Sequence, residues 1–222
     1  MELIRNNIFE TNSSSTHTLV IAKEYKELPY HTHSKVVNPD SYLKAGFLCE
    51  DDYTFDRSPF KLCNSWDEKL AYMYIVLRSR ITEEDHYYKS TGCKLITVED
   101  FEKFKTWCVE LYNELITDEG HHISIQDVFE ILELDSEYGY VVGGVDHDYE
   151  VPNELIEKCI TDKDYIKRFI FCRDSYIAVS GDEYNGYYIK TIGFEDDYTD
   201  RNEFDRKLEE YKKDFDVYFK GN

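Results

Sequence analysis

Proline is scarce, with four residues in a chain of 222. There is no low-complexity linker and no repeat of fixed period. A chain of this length buries a substantial core. These absences favour one continuous α+β domain over residues 1–222 rather than an array or a string of tethered modules. Long apolar runs are missing too: nothing approaches the ~20 residues that a membrane-spanning helix requires. The opening Met1-Glu2-Leu3-Ile4-Arg5 has no basic region followed by an apolar one, so no secretory signal is expected. The six cysteines show no C-x-x-C spacing. Several lie in apolar periodic segments, where a thiol serves as a small hydrophobe. Reduced thiols in a cytoplasmic protein are expected, and no close ligand pairs bracket a turn as a zinc site needs.

Positive charge is the largest deficit. Twenty-six Lys and Arg face forty-six Asp and Glu, a formal net charge of -20. Such a field repels phosphate backbones and anionic membranes, so neither direct nucleic-acid binding nor membrane binding is expected. It attracts a basic protein partner, and it also serves solubility alone. The signatures of P-loop, dinucleotide-binding and α/β-hydrolase chemistry are absent. No cofactor is indicated.

Strand and helix patterns alternate along what is present. Glu2–Phe9 and Thr18–Ala22 read as strands. Ser65-Trp66-Asp67-Glu68 is a capping box, and Trp66, Leu70, Met73, Tyr74 and Leu77 then recur at helical spacing, predicting an amphipathic helix over 66–79. Thr97 opens a second, over 98–116, with Phe101, Phe104, Cys108, Leu111 and Leu115 on one face. A short helix follows Ser124, and Tyr140–Val145 reads as a strand. Pro152 suits the first turn of a helix to about Cys159, and Thr161 is read as the cap of the next. Ser175–Ser180 and Tyr187–Phe194 read as strands around a turn at Asn185-Gly186. The chain ends in a predicted helix with Phe204, Leu208, Tyr211 and Phe215 inward. The expected fold is α+β, a mixed or mainly antiparallel sheet with several amphipathic helices.

The chemistry-bearing stretch is "IFETNSSSTHTLVIA", Ile8 to Ala22. Three serine hydroxyls and their amides can hold an anion, and His17 is suited to acid–base work near neutral pH. On an extended chain Ser15, His17 and Leu19 share one face, while Ser14, Thr16 and Thr18 share the other. Ser15 and His17 are the cooperating pair this spacing allows, with Glu10 and Asn12 as supports and Ser13 and Ser14 as further donors. A Ser/Thr-rich turn with local side-chain bonds is the competing reading.

"RNNIFETNSSSTHTLVI" resembles the opening of a family of uncharacterised proteins from Gram-positive bacteria and their phages, which begin with F-E-T-N-S-S-S-x-H. Weaker likenesses are "DEKLAYMY", "VDHD" and "FIFCRDSYIAVSGDE". The resemblance transfers no mechanism. It implies that Glu10, Asn12, Ser13, Ser14, Ser15 and His17 belong to one shared site.

A second constellation is "GGVDHDYE". Asp146 and His147 follow a predicted strand, where exposed loops often carry function. They are the distant partners expected to complete a site with His17. Metal binding is not assigned, because adjacent side chains on an extended chain point apart. Twenty tyrosines interleaved with acids form a third feature, a surface able to imitate phosphate spacing. Two functions follow. One is binding, with processing, of a small anionic, phosphorylated ligand at the Ser/His stretch. The other is an acidic interaction protein that blocks a basic nucleic-acid-binding host factor such as a defence nuclease.

Overall fold

A computed structural model describes residues 16–28, 53–55, 60–81, 92–116, 123–138, 144–145, 150–180, 187–194 and 200–220. The fold is α+β. Its centre is a four-stranded antiparallel sheet in the order β3-β5-β1-β8, built from β1 (Thr16–Ala22), β3 (Lys61–Cys63), β5 (Tyr176–Ser180) and β8 (Phe215–Lys220). A short parallel ladder joins β2 (Thr54–Phe55) to β4 (Gly144–Val145), and an antiparallel one joins β6 (Tyr188–Ile189) to β7 (Gly193–Phe194).

Every residue of β1 is buried, because both sheet faces are covered. Leu19 and Ile21 enter the main core with the helices, whereas Val20 joins a smaller core with Tyr176 and Ala178. The period-2 alternation read from the sequence is therefore realised, with an apolar layer on each side. On the outer face, β6 is tied to the sheet by the Tyr188 amide, which donates to Thr18 Oγ1 at 3.1 Å.

Six helices are described: α1 (Trp66–Ser79), α2 (Val98–Leu115), α3 (Ile125–Tyr138), α4 (Asn153–Thr161), α5 (Lys163–Ile170) and α6 (Arg201–Tyr211). α1 and α2 begin with the expected capping boxes, at Ser65/Glu68 and Thr97/Asp100. Ser124 and Asp127 exchange the same reciprocal bonds at the start of α3. Each box satisfies amides that a helix start otherwise leaves open. α1 departs from the amphipathic expectation. Ten of its residues are buried, among them Asp67 and Lys69, because α2, α3, α5 and the sheet enclose it. Tyr74 packs on Phe101 of α2 and Phe129 of α3.

Three other expectations are corrected. The cap of α5 is Asp162, whose side chain accepts from the Tyr165 amide; Thr161 instead closes α4 and bonds back to Glu157 O. Residues 187–194 form two strands, not one, folded back where Gly193 takes φ 98°, a conformation open to glycine. The C-terminal helix stops at Tyr211, and Phe215 begins β8. Phe215, Val217 and Phe219 alternate with Asp216, Tyr218 and Lys220, a strand period that pairs with β1. The Tyr211 and Phe215 rings stack at 4.3 Å across the turn, so both point inward as expected but from different elements.

Candidate functional site

Of the residues expected to form the site, His17 is described. Glu10, Asn12, Ser13, Ser14, Ser15, Asp146 and His147 lie outside the described residues, as do the Glu2–Phe9 strand and the Asn185-Gly186 turn.

His17 is the second residue of β1, and register fixes its neighbours. It sits opposite Val179 of β5 and Lys220 of β8, and Val179 sits opposite Lys61 of β3. Direct cross-strand partners share a face. One row across the helical face of the sheet therefore reads Lys61, Val179, His17, Lys220. His17 is completely buried and Lys220 is 1% exposed.

α1 closes over this row. His17 Nδ1 and Tyr72 Oη share a 2.9 Å hydrogen bond, whose direction follows the imidazole tautomer. The Tyr72 ring meets the Phe55 ring edge to face at 5.0 Å. Lys61 lies over the other side of this arrangement, its ammonium 5.2 Å from the Phe55 centroid and 3.8 Å from Glu68 Oε1. Phe55 is also the residue that pairs with Val145. The strand carrying His17 and the strand ending at Val145 thus both reach α1 around Tyr72, one directly and one through Phe55.

A buried carboxylate stands one turn away. Asp67 Oδ2 accepts a 3.1 Å hydrogen bond from Tyr53, while Oδ1 meets no hydrogen-bond partner among the described residues. Asp67 lies in the first turn of α1, where the helix dipole favours negative charge. Among the described residues, no group of three His, Cys, Asp or Glu side chains is placed to hold a metal. No described helix is long and apolar enough to cross a membrane.

Tyr72, Lys61 and Lys220 were not legible as site residues. Arg5 and Lys23 are the bases nearest His17 in sequence, yet the closest base in the sheet comes from the far end of the chain. The alternation in "FDVYFK" is the signal that points to Lys220, once that segment is read as a strand.

The arrangement can bury negative charge beside two basic groups and can hold an imidazole in one orientation through a phenol. No protein-family model, curated protein or solved structure matches this chain, so the functional reading stands on this geometry.

Proposed function

We propose that this chain binds a small anionic, phosphorylated ligand at the His17 end of the sheet, with His17 as the group suited to acid–base processing. The phage or mobile-element setting rests on the resemblance of the opening motif. The observation that supports the reading is the buried cross-strand pair of His17 and Lys220. Cross-strand pairing sets an imidazole and an ammonium side by side on one face of the sheet, and an anion bound at that end meets both.

The net charge of -20 does not forbid this. Surface acids more than about 8 Å away are screened at physiological salt. A buried base 4 Å from an anion attracts it by about 4 kcal/mol at an effective dielectric of 20. Local donors therefore outweigh the distant field. On this reading Ser13, Ser14 and Ser15 add neutral donors, Glu10 and Asn12 orient them, and Asp146 and His147 complete the site. Tyr72 sets the His17 tautomer.

Thermal unfolding with inorganic phosphate and nucleoside monophosphates as probes tests the proposal. The expected result is a rise in Tm that Ser15→Ala, His17→Gln and Lys220→Met each abolish while their circular dichroism stays native, and that Lys158→Met preserves. Tyr72→Phe weakens the response without abolishing it. An unchanged Tm with every small anion, together with a salt-labile complex with a basic nuclease, replaces this reading with the acidic-inhibitor one.

A further inference from the structure

Lys69 breaks the pattern of its own helix. It lies three residues after Trp66 and four before Met73, within the apolar stripe of α1. Its side chain is fully buried. The Nζ donates to two backbone carbonyls, Cys172 O at 2.8 Å and Ser175 O at 3.1 Å. Both belong to the turn that leads from α5 into β5. The Ser175 hydroxyl accepts from the Ala22 amide of β1 and donates to Arg168 O. One turn thus links α5, β5 and β1, and Lys69 closes it from beneath.

The donors and acceptors match a particular protonation state. A neutral amine has two N–H groups, and two carbonyls receive them. An ammonium has three, and among the described residues no third acceptor meets Nζ. No described carboxylate forms an ion pair with it: Asp67 and Glu68 precede it on α1, and Glu68 pairs with Lys61. Cys172 is the titratable group facing it from the turn, and Lys190 is the cation facing it from the β6–β7 hairpin. Burial is the main influence on its proton affinity and pushes the pKa down to about 7; the Cys172, Glu68 and Asp67 charges oppose that fall, and Lys190 adds to it.

We propose that Lys69 is held in the folded protein as a neutral amine and acts as an acid-sensitive latch on the Cys172–Ser175 turn. Protonation places a third, unmatched N–H in the core and loosens the turn that positions β5 against β1. This inference is independent of the ligand reading, since it concerns the other end of β1 from His17.

The test uses the full chain labelled with 13C at lysine Cε. The expected result is one lysine signal that titrates near neutral pH in the folded protein and is missing from Lys69→Met. A folded protein in which every lysine titrates above pH 10 overturns the proposal, whether or not the variant folds. A second readout is unfolding free energy against pH from 7.5 to 10. The wild-type slope is expected to exceed that of Lys69→Met by about one proton; equal slopes overturn the proposal.

Discussion

Lys69 on α1 and Lys158 on α4 both sit on the helical side of the sheet, in different surroundings. Lys69 is fully buried and meets two carbonyls and, among the described residues, no carboxylate. Lys158 is partly exposed; it pairs with Glu154 at 2.8 Å, donates to the Tyr218 hydroxyl at 2.9 Å and lies 3.7 Å from Asp216. Partial burial opposes its charge, but the bonds to Glu154 and Tyr218 and the Asp216 charge outweigh it and raise its pKa. Burial alone wins at Lys69. The same residue type is driven toward neutrality at one place and toward a firmer charge at another, because only one of them has anionic partners.

Truncation separates the two sites most strongly. Lys69→Ala removes the side-chain donor from two carbonyls and leaves a cavity beside α1, and costs about 3 kcal/mol of unfolding free energy by chemical denaturation. Lys158→Ala costs about 1 kcal/mol or less, as exposed ion pairs do. A larger loss at Lys158 than at Lys69 breaks the comparison.

The pH dependence comes next. The Lys69 pKa falls from 10.5 to about 7 on folding, so the unfolded chain holds the extra proton between those values. Its contribution to stability is complete above pH 10.5, declines as pH falls toward 7 and is level below that. The slope attributable to one proton is about 1.4 kcal/mol per pH unit. Lys158, with its raised pKa, works in the other direction: its stabilisation is complete below 10.5 and is lost only at higher pH. Denaturation series for Lys69→Met and Lys158→Met should therefore differ from wild type in separate pH windows.

A smaller effect tests the Lys158 network itself. The Tyr218 hydroxyl accepts from Lys158 and from Tyr165 and donates to Glu154. Tyr218→Phe removes all three bonds and is expected to cost about 1 kcal/mol, with the Lys158 pKa lowered on 13C titration. An unchanged titration detaches Tyr218 from that charge. The smallest expected difference is in salt. Raising ionic strength to 1 M weakens the Lys158 contribution by about 0.5 kcal/mol, whereas Lys69, with no ion pair, shows no matching change.

Local signals are legible where local chemistry decides the outcome. The boxes at Ser65/Glu68 and Thr97/Asp100 lie within four residues, and α1 and α2 start where they predict. Alternation along the extended stretch predicts His17 and Leu19 on one face and Thr16 and Thr18 on the other, and in β1 Leu19 enters the main core while Thr18 meets the Tyr188 amide on the opposite face. β8 is masked in the sequence because Phe204, Leu208, Tyr211 and Phe215 satisfy a helical period across the turn. The alternating residues after Phe215 acquire their meaning only from pairing with β1. Lys69 is illegible for a similar reason: helical spacing identifies an apolar stripe by its apolar members, and the carbonyls that meet the lysine come from residues more than a hundred positions away.

By itself, the sequence determined the α+β class, the starts of α1 and α2, the alternation of faces along β1 and the acidic field. These depend on spacing of a few residues or on summed charge, which folding does not alter. The tertiary structure decided which bases stand beside His17, which phenol bonds its imidazole, and that one lysine meets two carbonyls while another meets carboxylates. Such neighbours are 55 to 106 residues apart for Tyr72 and Lys69. Sheet register and helix packing bring them together, and no local spacing encodes either.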